Sequence, residues 1–419
     1  MKVLVVGGGG REHAIVWKLS QSPRVTQLYC APGNGGIAAL ARCIDIKATD
    51  LTRILDFVKE EKIDLTVVAP DDPLAMGLVD MLEDNGFRAF GPRKAAARIE
   101  SSKVFAKKLM KKYGIPTADY ASFNQYEDAI AFLKQVSYPV VIKADGLALG
   151  KGVIITDSKE KAEETIYDMM LGNKFGEAGK QILIEEYITG PEVSILVFID
   201  GKTYIPMVSS QDHKRVFDND EGPNTGGMGA FSPSPHYTPD VAAYVEQNII
   251  ELTIRAMEEE GRPFKGVLYF GLMLTADGPK VLEYNARFGD PETQVVLPRL
   301  KSDLLEIIEA IIDQRLGEIK IEWNDKAAAC VVLASNGYPG SYEKGLPIKI
   351  GLDENEEDIF LFHAGTERIG EKLVTSGGRV LGLTALGNNL EDAVRRAYER
   401  IDCIYFKGMH YRRDIGRKF

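Results

Sequence analysis

The chain has 419 residues, 45% hydrophobic and 27% charged, as in a globular protein of roughly two to four domains. Against 51 lysines and arginines stand 61 aspartates and glutamates, a net charge of −10. This excludes the gripping of nucleic acid or an anionic membrane as the main task, but not a local basic pocket.

Cys30, Cys43, Cys330 and Cys403 are scattered without a C-x-x-C pair, so neither a zinc site nor a disulfide framework is expected. No stretch approaches the ~20 apolar residues of a membrane span, and the apolar run at the N-terminus is too short for a signal peptide. A cytoplasmic location is expected.

Val3–Val6 predicts a buried strand running into glycines, then a helix from Glu12 to about Ser20. Gln27–Cys30 is a second strand, followed by the turn Ala31 to Gly36. Thr52–Glu61 has a helical pattern, Leu65–Ala69 a buried strand, Pro73–Asn85 a helix and Arg88–Phe90 a short strand. Alternating βα units of this kind imply an open, mostly parallel sheet whose ligands gather at the carboxyl ends of the strands.

Arg93–Tyr113 reads as one helical stretch with eight basic residues and one acid, Glu100. Phe105, Leu109 and Tyr113 mark its core face, and the lysines other than Lys103 are expected to face water. Pro139–Lys143 and Val153–Thr156 are strands around a glycine-rich loop, Ser158–Leu171 is a helix, and Gln181–Ile188 and Glu192–Ile199 are further strands. Ser209 to Pro239 fits no regular pattern, and a loop of that length in an enzyme is more often functional than idle. Val241–Glu260 is a helix, Gly266–Leu274 and Lys280–Asn285 form a hairpin, and Ser302–Arg315 is a helix. Strands fill the last segment, with a helix near Glu391–Ile401.

The motif GGGGREH invites a dinucleotide fingerprint, but the third glycine position holds Glu12 or His13 and no acid ends the second strand. An NAD-dependent oxidoreductase is therefore the weak alternative, although a glycine turn at a helix N-terminus can still hold a phosphate. ADGLALGKG (144–152) misses the Walker spacing, yet a glycine loop between strands can close over a triphosphate. Lys143 ends a buried run, and its charge needs a partner.

In VLEYNARFGDPETQ (281–294), alternation puts Glu283, Asn285 and Arg287 on one face. A carboxylate and an amide oxygen side by side suit Mg²⁺, and the guanidinium suits a transferring phosphoryl group or a carboxylate. Ile182 to Ser194 reads as a strand and turn able to meet an adenine edge. Ser209 to Pro233 packs Asp212, His213, Lys214, Arg215 and a glycine cluster into one segment, and no nucleophile constellation appears.

In this order the motifs resemble the ATP-grasp superfamily and, within it, the glycinamide ribonucleotide synthetase family. The likeness rests on GGGGREHA, APGN, VVIKADGLALGKGV, SQDHKR with GPNTGGMGA, EYNARFGDPETQ and YRRDIG. It implies a multidomain α/β and α+β fold: an N-terminal open parallel α/β sheet, a central ATP-grasp fold and a C-terminal β-rich domain. The expected spans are 1–101, 102–327 with a small ATP lid at about 122–192, and 328–419. The implied reaction is ATP-dependent ligation of glycine to 5-phosphoribosylamine through glycyl phosphate. Another ATP-grasp carboxylate–amine ligase or a carboxylase is the alternative, and a monomer is expected, with a weak dimer second.

The resemblance also implies roles. Lys103 and Lys143 would bind ATP phosphates under Gly146, Gly150, Lys151 and Gly152. Glu185, Glu186, Tyr187 and Ile188 would hold adenine, and Glu192 the ribose. Glu283 and Asn285 would ligate Mg²⁺ or Mn²⁺, with Arg287 and Lys143 catalytic. Asp212, Lys214, Gly226, Gly227 and Gly229, with Gly9, Gly33, Asn34 and Arg287, would meet glycine or phosphoribosylamine. The sequence has Asp72 where the family pattern leads one to expect glutamate, and its basic tail, Lys407 to Lys418, is expected to pack at the surface.

Overall fold

The computed structural model describes residues 1–147, 152–172, 174–353 and 356–417. Strands β1 (Lys2–Gly7), β2 (Gln27–Pro32), β3 (Arg42–Cys43), β4 (Leu65–Val68) and β5 (Ala89–Phe90) form a parallel sheet in the order β3-β2-β1-β4-β5. Val3 to Val6 are fully buried because both faces of the central strand are covered. Leu4 and Val6 share a core with Ile54 and Val58, while Val3 and Val5 share one with Ile15, Leu19 and Leu304.

Helices α1 (Gly10–Leu19) and α2 (Leu51–Glu61) follow their strands as expected. The helix expected over Pro73–Asn85 is instead two, α3 (Asp71–Met76) and α4 (Leu78–Asp84), because Gly77 sits between them at φ +97°, a left-handed conformation open to glycine. The stretch Arg93–Tyr113 likewise splits into α5 (Lys94–Ser101) and α6 (Lys103–Tyr113). Ser102 is extended there, and its hydroxyl caps α6 by accepting from the Phe105 N–H at 3.1 Å, so the chain restarts a helix rather than continuing one.

The segment expected to form the lid holds an antiparallel sheet of β6 (Tyr120–Phe123), β7 (Val140–Ala144), β8 (Val153–Thr156) and β9 (Ile182–Glu186), in the order β6-β9-β7-β8. Helices α7 (Tyr126–Phe132) and α8 (Lys159–Met170) contribute Ala129 and Ile166 to its own core with Ile142 and Ile184. Beyond it run β10 (Glu192–Asp200) and β11 (Tyr204–Pro206).

The segment without a pattern, Ser209 to Pro239, contains four short strands: β12 (Gln211–Asp212), β13 (Arg215–Phe217), β14 (Glu221–Asn224) and β15 (Gly229–Ser232). Their shortness and their glycines hid them from period-2 reading. Helices α9 (Pro239–Val245) and α10 (Glu251–Glu259) are joined by a π-helical turn over Glu246–Ile250, so the expected helix is present but interrupted. The expected hairpin is β16 (Lys265–Thr275) with β17 (Gly278–Asn285), completing the sheet β11-β10-β16-β17. Helices α11 (Thr293–Val296) and α12 (Leu304–Ile312) follow.

The C-terminal segment supplies β18 (Ala327–Ala334), β19 (Lys349–Ile350), β20 (Ile359–His363), β21 (Thr366–Ile369), β22 (Lys372–Thr375), β23 (Arg379–Gly387) and α13 (Leu390–Ile401). Its antiparallel sheet runs β12-β15-β18-β23-β20, so two strands of the middle segment complete it. Backbone bonds between Ser194 and Ser210 tie that sheet to β10. The basic tail does not merely lie at the surface. Arg412 is fully buried and paired with Asp414 and Asp220, while Lys418 lies outside the described residues. No helix among the described residues is long and apolar enough to cross a membrane.

Candidate active site

Lys103 opens α6. Its Nζ donates to the carbonyls of Ala144, at 3.2 Å, and Gly146, at 2.7 Å, on the loop after β7. Asp145 fixes that loop to the helix start, accepting from Val104 N–H at 3.1 Å and from the Ser102 hydroxyl at 3.2 Å. Burial pulls Lys103 below the usual lysine range, Glu283 pushes back, and Lys143 pulls it down further, so these three charges meet although they are far apart in sequence. Gly152 accepts from the Ala144 N–H at 2.9 Å across the hairpin. Gly150 and Lys151 lie outside the described residues.

Lys143 and Lys107 each place Nζ 3.0 Å from the same oxygen, Glu185 Oε2. Lys143, near the end of β7, thus has a carboxylate partner. Lys107 was expected to face water with its neighbours, yet it is only 2% exposed and also donates to Thr117 Oγ1 and to the Ala118 carbonyl. The available signal was its position one turn after Lys103 on the same helix face. Glu185 Oε1 is buried without a hydrogen-bond partner among the described residues, an acceptor set beside two lysines. Glu186 points the other way, accepting from Asp119 N–H at 3.0 Å and facing Lys280. Tyr187 is exposed and Ile188 half-buried.

At the end of β17, Glu283, Asn285 and Arg287 share a face, while Tyr284 on the opposite face bonds the Thr253 hydroxyl. Arg287 Nη2 lies 3.2 Å from Asn285 Oδ1 and 3.0 Å from Glu100 Oε1. Burial would raise the Glu283 carboxyl, but Lys214, Lys143, Lys103 and Arg287 together hold it below its usual range. Lys214 Nζ pairs with Glu192 at 2.9 Å and stands 3.8 Å from Glu283.

Burial, against the pull of Lys214, pushes Asp212 up to about 8, with Glu292, Glu192 and Glu283 adding repulsion. Burial also raises Glu292, which accepts from the Ser194 hydroxyl at 3.3 Å beside Tyr269. Glu292, Ser194 and Tyr269 were not singled out in the sequence.

Residues from both ends of the chain meet at the next segment. A Cβ at Gly9 would stand 3.5 Å from Asp290 Oδ2, and Arg11 donates to the Phe288 carbonyl at 3.3 Å. Arg379, from β23, donates to the Gly226 carbonyl at 2.6 Å and pairs with Asp290. Gly227 adopts φ +113°, and a Cβ there would fall 2.4 Å from Pro291 Cδ, so only glycine fits. Gly229 lies in β15 against β18. Gly33 donates its N–H to the Gly7 carbonyl at 3.0 Å. Asn34 spends its side chain internally, on the carbonyls of Gly8 and His363 and the N–H groups of Gly36 and Ile37. Its side chain therefore shapes the turn. Asp71, beside the Asp72 that stands where the family pattern has glutamate, acts on both Glu100 and Arg287.

Most of the chain is matched by models of one family. Residues 1–100 match the profile of the phosphoribosylglycinamide synthetase N domain, 101–293 that of its ATP-grasp (A) domain, and 328–418 that of its C domain. The chain belongs to the phosphoribosylglycinamide synthetase family.

It is 52% identical to a phosphoribosylamine–glycine ligase of Caldanaerobacter subterraneus subsp. tengcongensis over 416 residues, covering 99% of each chain. Identity to the Halalkalibacterium halodurans protein of the same name is 51%, over 100% of this chain and 97% of that one. Among solved structures, phosphoribosylamine–glycine ligase from Thermotoga maritima superposes with a TM-score of 0.87 at 35% identity, covering 99% of this chain and all of that one. A biotin carboxylase domain from Hydrogenobacter thermophilus, at 18% identity and TM-score 0.77 over 98% of this chain and 91% of that one, shares the fold. In this chain Gly9, in the N-domain match, and Arg379, in the C-domain match, both approach Asp290 of the ATP-grasp match.

Proposed function

We infer that the chain is an ATP-dependent carbon–nitrogen ligase that joins glycine to 5-phosphoribosylamine, giving glycinamide ribonucleotide, ADP and phosphate in purine biosynthesis. The observation that carries the reading is full-length identity to phosphoribosylamine–glycine ligases at about half of all positions. The convergence of Lys103, Lys143, Lys214 and Arg287 around Glu283 is its physical counterpart.

In this reading the glycine carboxylate attacks the γ-phosphorus of ATP, and ADP leaves. The amine of 5-phosphoribosylamine then attacks the carbonyl carbon of glycyl phosphate and expels phosphate. No enzyme nucleophile is needed, so the protein acts by positioning and by stabilising charge. Lys103 and Lys143 neutralise ATP phosphates beside Gly146 and Gly152. Glu185 Oε1 accepts from the adenine amino group, with backbone groups of Glu186, Tyr187 and Ile188 beside it, and Glu192 takes the ribose hydroxyls. Arg287 offers its buried, unpartnered Nε to the acyl phosphate. Asp212, Lys214, Gly226, Gly227 and Gly229 meet glycine or phosphoribosylamine, with Gly9 and the Gly33–Asn34 turn on the phosphoribosyl side.

Glu283 and Asn285 offer two hard oxygens on one strand face. Among the described residues no cluster of three His, Cys, Asp or Glu side chains forms a metal cage. That donor set fits Mg²⁺ or Mn²⁺ completing its shell with phosphate oxygens. When bound, the ion supplies neutralisation of charge on the transferring phosphoryl group. The reading places the enzyme in the cytoplasm as a monomer.

Incubation with ATP, Mg²⁺, glycine and phosphoribosylamine tests it, with ADP and glycinamide ribonucleotide followed by mass spectrometry. Equimolar appearance of both supports the reading. ADP release that follows bicarbonate instead of glycine overturns it.

A further inference from the structure

Glu100 is the lone acid in the basic stretch 93–113, and its side chain is only 8% exposed. Both its oxygens are committed to the end of β17: Oε1 lies 3.0 Å from Arg287 Nη2, and Oε2 accepts from the Ala286 N–H at 2.7 Å. Arg287 Nη1 donates to the Phe288 carbonyl at 3.1 Å. The Nη2 group therefore stands between two acceptors, Glu100 Oε1 at 3.0 Å and Asn285 Oδ1 at 3.2 Å, while Nε is buried with no hydrogen-bond partner among the described residues.

We propose that Glu100, from the N-terminal side, is the positioning residue that draws Arg287 away from the Asn285 amide oxygen. The inference rests on the roles given above to Arg287 and Asn285. Burial pushes the Glu100 carboxyl up and Arg287 pulls it back down; ionised, it is a stronger acceptor for a guanidinium than a neutral amide. With Glu100 present, Asn285 Oδ1 can be released to a cation without leaving Arg287 Nη2 unpaired. With the carboxylate gone, Arg287 closes on Asn285, competes with the cation for that oxygen, and turns its Nε edge out of line. The Ala286 contact matters as well. It fixes Glu100 to the backbone between Asn285 and Arg287, so the three groups move as one unit.

This predicts a specific pattern of loss. In the full-length chain E100Q keeps a side chain of the same shape and an acceptor for Ala286 N–H, but loses the charge. It lowers kcat about 10- to 100-fold, the range for losing a charge-assisted bond. It raises by a similar factor the Mg²⁺ concentration needed to half-saturate binding of a non-hydrolysable ATP analogue, read by calorimetry. KM for ATP stays within about twofold. E100D, which retains the charge with a shorter reach, recovers part of both. On an R287A background, E100Q causes no further loss, because Glu100 acts through Arg287.

Unchanged kcat and Mg²⁺ requirement in E100Q overturn the inference. So does a further loss on the R287A background, which would mark a role in folding alone. If E100Q does not fold, E100D carries the test by the same split between Mg²⁺ requirement and KM for ATP, and its absence overturns the inference. Wild-type chain without glycine-dependent ADP release overturns the proposed function instead, so the two failures are distinct.

Discussion

Arg379 reaches Asp290 twice, with Nη2 3.1 Å from the carboxylate Oδ2 and Nη1 2.9 Å from the backbone carbonyl. The same Nη1 holds the Gly226 carbonyl. One C-terminal side chain thus fixes both the glycine loop and the segment after Arg287. Asp290 is held below the usual carboxylate range against the effect of burial, chiefly by Arg379. Replacing Arg379 with Gln should leave KM for ATP unchanged and lower kcat/KM for glycine and phosphoribosylamine about 10- to 100-fold, as expected for a broken charge-assisted clamp. Steady-state kinetics with each substrate varied in turn checks this. A uniform loss across all three substrates would contradict it.

The shared oxygen of Glu185 predicts an ordering of stabilities. Glu185→Gln leaves Lys107 and Lys143 buried without their carboxylate and should cost ~3–5 kcal/mol. Lys107→Met leaves a one-to-one pair of Lys143 with Glu185 and relieves repulsion between the lysines. It should cost no more than ~1–2 kcal/mol. Urea denaturation of the two variants decides the order, and equal losses would sink the two-lysine account.

Much of the fold was readable because its elements obey simple periods. The four-residue apolar run Val3–Val6 and the β16–β17 hairpin carried strong local signals, and alternation alone grouped Glu283, Asn285 and Arg287. What stayed hidden depends on tertiary partners. The breaks at Gly77 and Ser102 interrupt sequences whose apolar spacing continues through them. Strands β12 and β15 are short, and they exist because β18 pairs with β15. Lys107 looks like its solvated neighbours until β9 places Glu185 against it. Arg379 and Glu100 act across domain boundaries, where no local pattern can announce them.

Asn285 supplies one of only two side-chain oxygens proposed for the divalent ion. Asn285→Ala should lose about 100-fold or more in turnover, in the range found when one electrostatic contact to a transition state is removed. It should retain its thermal midpoint, since the amide's only hydrogen bond among the described residues is the one from Arg287. Raising Mg²⁺ should restore part of the activity. Turnover near that of the wild type at limiting Mg²⁺ would refute the ligand role.

His13 and His363 couple α1 to β20 and set an acid limit on stability. The His363 N–H donates to His13 Nδ1 at 2.7 Å, so the His13 ring must remain neutral on that nitrogen to accept. Burial, with repulsion from His363, lowers His13 to about 3. Burial and Arg368 lower His363 to about 4. An unfolded histidine titrates near 6.5, so between about 6.5 and these folded values the unfolded chain binds more protons than the native one. Stability is therefore fully present above pH 6.5 and falls as the pH drops towards 4 and then 3, by at most ~1.4 kcal/mol per pH unit for each histidine. His13→Gln keeps an acceptor for the His363 N–H but cannot take up a proton. Its urea midpoint should fall less between pH 6.5 and pH 4 than that of the wild type, and parallel pH profiles for the two proteins would exclude His13 as a source of the acid sensitivity.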